Sequence, residues 1–538
     1  MISMYSSKPD KNGELEEEAD DGNVEYKLKL IDPNATRFEH LVSQMKFRLL
    51  EGQGEAIYEI GVEDNGFPKG LSDKELEDSL KTLEKMAKKL KAEITILRKR
   101  EGEIGKVCEI LVRKLAEEDF NEIRVAVTGN VDSGKSTLVG VLTRGELDNG
   151  RGLARMNVFR HKHEVKSGRT SSVSLQILGF DSRGEIVNYS TLKNPMWSEI
   201  AEKSSKILTF IDLGGHEKYL KTTVFGLTGH RPDYALLVVG ANMGIVGMTK
   251  EHLGIALALK VPVFIVITKI DICPEHVLQQ TIDQLTQILK LPGANKIPII
   301  IRNQDDVIVS VKNLTSGRIA PIFLTSNVTG ENLDLLRQFL NLLPTNKNWE
   351  ELINKPVEYQ IDETYLVTGV GTVVAGTLIS GTVTVDDILL LGPDEFGNFR
   401  EVKVKSIHNK RLLVKRLVAG QTATFALRKI KRSAIRKGMV LLDKTCKPKV
   451  AKGFEAEILV LYHSTTIQPN YQAVIHCGTI RQTAKIVDID KGTIRTGDRA
   501  KVTFRFLYQP EYLKEGRKII FREGRTKGMG KITKVIYE

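Results

Sequence analysis

Gly129-Asn130-Val131-Asp132-Ser133-Gly134-Lys135-Ser136 fits the pattern G-x-x-x-x-G-K-[ST]. The run before it, Ile123-Arg124-Val125-Ala126-Val127, reads as a buried strand, and Thr137-Leu138-Val139-Gly140-Val141-Leu142 after it reads as the first turns of a helix. A strand, a glycine-rich turn and a helix N-terminus together make a cradle for phosphate. Successive backbone N–H groups point at the anion, and the helix end adds partial positive charge. Lys135 reaches the β- and γ-phosphates in such a cradle, and the Ser136 hydroxyl ligates Mg²⁺. Residues 129–137 are therefore expected to bind a nucleotide.

The surrounding chain supports that reading. From about Glu118 to Leu343 strands and helices alternate, which predicts a parallel α/β sheet. Gly145 to about Trp197 reads as a long loop rich in Arg, His, Gly and Ser. The strand Ile207–Ile211 then ends in Asp212-Leu213-Gly214-Gly215-His216, a D-x-x-G-H motif. Asp212 would hold Mg²⁺ through water, and the Gly215 N–H would face the γ-phosphate. The strand Val263–Ile267 ends in Thr268-Lys269-Ile270-Asp271, a form of N/T-K-x-D. The Asp271 carboxylate can accept from guanine N1–H and from the N2 amino group; adenine offers neither donor, so ATP would leave it unpaired. Lys269 can lie over the purine ring. Backbone N–H groups of Ser326-Asn327-Val328 are placed to meet guanine O6. These elements fall on successive βα loops, where α/β sheets bind ligands. GTP and GDP are the expected nucleotides.

The 538 residues exceed one core, so several domains are expected. Residues 1–23 are acidic and almost without apolar side chains, and read as a disordered tail. Residues 24–117 read as a small α+β module, with a ferredoxin-like order as one candidate. Ser72 and Glu75 make a capping box before the stripe Leu76, Leu80, Leu83, Ala87 and Leu90. Residues 118–345 form the α/β P-loop domain. Helical periodicity vanishes after Pro344, and segments 352–450 and 451–538 read as two antiparallel β-barrels. The formal charge of +12 suits a polyanionic partner. The four cysteines lie far apart and form no C-x-x-C pair, as expected of free thiols in a reduced compartment. No apolar run is long enough to span a bilayer, and the acidic start does not read as a secretory signal. A cytoplasmic monomer without membrane contact is expected.

The D-x-x-G-H motif and the long first switch resemble those of translational GTPases. Within that group the chain resembles the eukaryotic GTP-binding protein 1 and 2 family, relatives of elongation factor 1-alpha. The residues carrying the likeness are Gly-Glu-Leu-Asp-Asn-Gly-Arg-Gly (145–152), Phe-Arg-His-Lys-His-Glu (159–164), Ser-Gly-Arg-Thr-Ser-Ser (167–172) and Gly-His-Glu-Lys-Tyr-Leu-Lys-Thr-Thr (215–223). The glycine-spaced segment 369–381 is similar to the second domain of elongation factors. The likeness implies a GTP hydrolase whose GTP form presents aminoacyl-tRNA, or a related RNA, to the ribosome. It implies Thr170 as a switch ligand of Mg²⁺, with Ser171 or Ser172 as rivals, and His216 as the catalytic residue that positions water. Lys403, Lys405, Lys410, Arg411, Arg525, Lys527 and Lys531 would meet tRNA phosphates. Alternatives within this reading are a ribosome-rescue or RNA-surveillance GTPase with a tRNA-shaped protein partner, and a GTP-switched RNA-binding module. The chain departs from the elongation-factor pattern at three points. Thr268 replaces Asn, Gly214 replaces Pro or Ala, and Arg169 replaces an Ile before the switch Thr.

Overall fold

The computed structural model describes residues 15, 17–19, 22–116, 120–159, 164, 170–189, 195–345, 349–524 and 526–537. The chain forms two compact units: residues up to 121 together with 178–207, and residues 122–177 together with 208–538.

In the first unit, β1 (Val24–Lys27), α1 (Ala35–Glu51), β2 (Glu55–Ile60), α2 (Asp73–Lys89), β3 (Ala92–Glu101) and β4 (Lys106–Lys114) follow one another. Asn34 caps α1 by accepting from the Arg37 N–H at 2.9 Å. Ser72 and Glu75 cap α2 reciprocally, as the sequence predicts. The sheet order is β1-β2-β4-β3. This is not ferredoxin-like. A split βαβ unit inserts a strand between the first two, whereas here β1 and β2 pair directly in parallel. Both helices precede the closing hairpin, whose connection 102–105 is too short to hold one.

Side chains alternate across this sheet. Ala56, Tyr58, Ile60, Cys108, Ile110 and Val112 face the helices and form the core with Met45, Leu49, Leu83 and Met86. The opposite face carries buried charges. Arg113 Nε donates to Glu55 Oε1 at 2.7 Å, Lys206 Nζ reaches Glu55 Oε2 at 3.0 Å, and Arg98 Nε bonds Glu109 at 2.7 Å. Lys206 therefore ties the segment 178–207 to the module.

Burial pushes the Glu55 carboxyl up, but Arg113 and Lys206 outweigh it and hold it below the usual carboxylate range. Its contribution to stability is present above the unfolded-state value of about 4.3 and is lost as pH falls through the lowered folded value. Glu55→Gln leaves two like charges buried together. Urea unfolding is expected to show a loss of about 3–5 kcal/mol. An unchanged midpoint would show that the cluster contributes nothing.

The acidic tail expected over 1–23 lies mostly outside the described residues. Those that are described are folded. The Leu15 N–H donates to Gly66 O and the Glu18 N–H to Asp64 O, each at 2.9 Å. The Glu18 carboxylate lies 2.9 Å from the buried Arg48 guanidinium, which also holds Glu25 at 2.6 Å. A buried guanidinium needs these acids.

The sheet of the nucleotide domain has seven strands. They are β5 (Asn121–Gly129), β6 (Ser174–Phe180), β7 (Lys206–Asp212), β8 (Tyr234–Gly240), β9 (Val263–Thr268), β10 (Ile297–Ile300) and β11 (Ile319–Leu324), in the order β10-β11-β9-β8-β5-β7-β6. Strands β5, β8, β9, β11 and β10 pair in parallel. Every residue of β8 and β9 is buried, as a sheet covered by helices on both faces requires. The segment 145–197 is not one loop, because its described residues include β6 and two 3-10 turns.

Six strands close the first barrel, in ring order Glu358–Val367, Gly371–Ser380, Thr422–Leu427, Arg400–Asn409, Ile388–Gly392 and Val440–Asp443. Tyr359 stacks on Phe425 in its core, with ring centroids 4.3 Å apart. Six more close the second barrel: Ala451–Tyr462, Arg499–Phe506, Ile480–Ile489, Gln472–Cys477, Lys518–Glu523 and Thr526–Tyr537. Phe454, Phe504 and Phe521 fill it.

Candidate functional site: a phosphate cradle closed by two switch segments

The central strand β5 ends at Gly129, and the chain turns through Asn130–Gly134 into α3 (Lys135–Arg144). Three bonds brace the turn. The Ser133 hydroxyl donates to Asn130 O at 2.9 Å. The Thr268 hydroxyl donates to Ser133 O at 2.7 Å, so the threonine at this unusual position still braces the loop. The Gly129 N–H donates to Nδ1 of His252, on α4 (Gly247–Ala258), at 3.0 Å. Burial, with Lys135 nearby, pushes the His252 imidazole down to about 3. It is neutral at pH 7 and can accept at Nδ1. Lys135 is buried and its amine bonds Asn130 O. Burial pulls that amine down to about 8 against the opposing pull of Asp212 and Asp132.

Three oxygens converge beside Lys135. Ser136 Oγ donates to Asp212 Oδ2 at 2.6 Å and lies 2.8 Å from Thr170 Oγ1, which itself lies 3.4 Å from the same carboxylate oxygen. Among the described residues Asp212 Oδ1 is buried without a hydrogen-bond partner. Burial pushes the Asp212 carboxyl up to about 6, against hydrogen bonding from Ser136 and the charge of Lys135. Ser171 and Ser172 are engaged elsewhere. Glu164 Oε1 accepts from both of their N–H groups, at 2.7 and 3.0 Å, and from both hydroxyls, at 2.8 and 3.1 Å. Arg169 and 160–163 lie outside the described residues.

A methyl group at Gly214 would sit 3.1 Å from Thr170 O and from Tyr219 Cβ, so glycine lets the two switch segments approach. His216 is exposed at the start of a 3-10 turn, and its Nδ1 accepts from the Lys218 N–H at 3.1 Å. The ring sits edge-on to Tyr219, centroids 6.2 Å apart. His216 and Gly215 line the same pocket as Val131, Asp132, Gly134–Thr137 and Thr170.

On the base side, Lys269 has φ 64° and sends the chain into a 3-10 turn, Ile270–Ile272. Asp271 is exposed there. The Ser326–Val328 loop differs from expectation. The Ser326 N–H donates to Glu331 O at 3.3 Å and the Val328 N–H to Ser326 Oγ at 3.1 Å. The loop uses these donors to close its own turn. Of the three, only the Asn327 N–H makes no hydrogen bond among the described residues. Asn327 O accepts from the Asp148 N–H at 2.8 Å.

The expected phosphate-facing lysines also change. Lys410 is buried, 2.7 Å from Glu122 at the start of β5, and is unavailable to RNA. Lys403 pairs with Asp386 at 3.0 Å and Lys527 with Glu251 at 3.7 Å. Arg525 lies outside the described residues.

Residues 121–345 match the Elongation factor Tu GTP binding domain, 371–442 Elongation factor Tu domain 2, and 447–536 the Elongation factor Tu C-terminal domain. GTP-binding protein 1 of Xenopus laevis is 55% identical over 99% of this chain and 83% of its own length. GTP-binding protein 2 of Homo sapiens is 53% identical over 97% of this chain and 88% of its own. The chain belongs to the GTP-binding protein 1 and 2 family. As a member of this family it is a GTP hydrolase of the translational, elongation-factor type that binds GTP and GDP. Selenocysteine-specific elongation factor of Haemophilus influenzae is 30% identical over 75% of this chain and 53% of its own length. The solved elongation factor SelB of Methanococcus maripaludis, in complex with a GTP analogue, shares the fold at a TM-score of 0.54 and 20% identity, over 78% of this chain and 80% of that one.

Sequence reasoning missed His252, Glu164 and Asp148. Each acts on the backbone or hydroxyls of a neighbouring loop, and a lone acid or imidazole on a helix or turn carries no spacing that marks it.

Proposed function

We propose that this member of the family, as a GTP–Mg²⁺ complex, binds a tRNA or tRNA-like partner and engages the ribosome. Hydrolysis of GTP to GDP and phosphate then ends the engagement. The observation that carries the reading is the convergence of Thr170 and Asp212 on Ser136. Two separate switch segments meet at one point of the P-loop, as expected of a device that senses the γ-phosphate. Glu122 on β5, bonded to Lys410, gives the same domain a buried tie to the first barrel. The relative from Haemophilus is named a selenocysteine-specific elongation factor, and the tRNA partner is inferred from that kinship.

The residues fit Mg²⁺: two hydroxyls and a carboxylate converge, and Asp212 Oδ1 is a buried oxygen lacking a partner among the described residues. Ser136, Thr170 and Asp212 would hold the ion, which neutralises charge on the β- and γ-phosphates when bound. Lys135 and the backbone of 129–137 take the phosphates. Asp271, Lys269 and the Asn327 N–H take the base, with Thr268 bracing the loop. A ribosomal partner places the chain in the cytoplasm, acting as a monomer. No helix among the described residues is long and apolar enough to cross a membrane.

Thr170→Ala is expected to abolish the GTP-specific protection of the first switch in limited proteolysis, since Ser171 and Ser172 are held by Glu164. Persistence of the protected band would move the role to one of the serines. The function itself is tested by GTP turnover with and without ribosomes. Stimulation of at least about tenfold is expected, modest for an activator acting in trans. Equal rates would argue against a ribosomal role.

A further inference from the structure

Arg155 belongs to a 3-10 turn, Ala154–Asn157, between α3 and β6. Its side chain lines the phosphate pocket together with Lys135, Ser136, Thr137, Thr170 and Gly215. A Cβ on Gly152 would lie 2.5 Å from Arg155 Nε and 2.7 Å from Cζ, so the half-buried guanidinium packs directly over that glycine. Among the described residues the guanidinium makes no hydrogen bond or ion pair. A guanidinium with five donors that lines a phosphate cradle can bond an anion bound there strongly.

The turn that carries Arg155 is firmly placed. Asp148 Oδ1 accepts from the Ala154 N–H at 2.9 Å, and Oδ2 accepts from the Gly150 and Gly152 N–H groups at 3.1 and 3.0 Å. The Val158 carbonyl, one residue past the turn, accepts from Ser174 Oγ at 2.7 Å. On the other side the turn presses on α3. A Cβ at Gly140 would come within 2.2 Å of Ala154 O, so only glycine lets the backbone sit this close. The position of Arg155 is thus fixed by α3, by Asp148 and by β6, independently of the residues around Thr170.

We propose that Arg155 is a cation supplied in cis to the phosphate chain of the bound nucleotide, acting with Lys135 during hydrolysis. This rests on the assignment of the pocket to GTP. In a loose phosphoryl-transfer transition state the bond from the γ-phosphorus to its bridging oxygen breaks as the bond to water forms, and charge moves onto the phosphate oxygens. A fixed guanidinium stabilises that charge with little reorganisation. Lysine cannot copy its planar, multidentate contact.

The test is single-turnover hydrolysis of GTP by the full chain, with fluorescent GDP and GTP titrations alongside. Arg155→Ala and Arg155→Gln are each expected to slow hydrolysis at least tenfold, while Arg155→Lys recovers little. Guanidinium chloride at low millimolar concentration should restore much of the rate of Arg155→Ala, and the same concentration of sodium chloride should not. A merely structural arginine would give no such selective rescue. The inference is overturned if either uncharged variant hydrolyses GTP at the unaltered rate, or if a slowed Arg155→Ala protein gains nothing from guanidinium. A chain that fails to bind GTP before any substitution would instead overturn the assignment of the pocket.

Discussion

On ribosomes, His216→Ala is expected to hydrolyse GTP at least about two orders of magnitude more slowly than the unaltered chain, in the range lost with a positioned catalytic group. Without ribosomes the two proteins are expected to differ little. The reason lies in where the ring sits. Nδ1 of His216 accepts from the Lys218 N–H and the side chain is exposed, so the imidazole is engaged with its own turn. Its neutral form then carries the proton on Nε2. In a loose transition state little proton transfer is needed early, and placing the water dominates. His216 must leave the Lys218 N–H to do this. The ribosome is the expected source of the energy that turns the ring. Single-turnover rates for both proteins, with and without ribosomes, decide the matter. Unimpaired hydrolysis by His216→Ala on ribosomes would remove His216 from the mechanism.

Asp271→Asn is expected to lower GTP affinity at least about a hundredfold and to gain affinity for xanthosine triphosphate. Two charge-assisted hydrogen bonds to guanine are lost, each worth about 1.5–3 kcal/mol. The amide also presents a donor to the donors of guanine, while xanthine offers a carbonyl where guanine has its amino group. Among the described residues the Asp271 carboxylate has no partner of its own, so a base meets it unoccupied. Competition binding with the two nucleotides measures the effect. Unchanged preference for GTP would place base recognition elsewhere.

The parts of the site that a sequence can reveal are those where one short stretch supplies both geometry and chemistry. The P-loop is such a stretch: a strand, two glycines and Lys-Ser lie within a dozen residues. Asp212 and Thr268 are legible because each ends an apolar strand. Nothing in the run Thr170-Ser171-Ser172 ranks its three hydroxyls, whereas the structure shows Glu164 holding both serines. That contact spans a bend no periodicity announces. The N-terminal module shows the same limit. Its capping box and apolar stripe are local and legible, but strand order is a long-range property, and the order β1-β2-β4-β3 departs from the ferredoxin-like one. The charges on its second face, Glu55, Arg113 and Lys206, come from segments about sixty and ninety residues apart, and no pattern in any one strand marks them as partners. Lys410 likewise reads as a surface cation until Glu122 is found beside it.

In the proposed function the nucleotide governs the grip on the partner. Filter binding of aminoacyl-tRNA and deacylated tRNA, each with a non-hydrolysable GTP analogue and with GDP, tests it most directly. Aminoacyl-tRNA is expected to be retained with the GTP analogue and lost with GDP. Equal retention of both tRNAs, whatever the nucleotide, would contradict it.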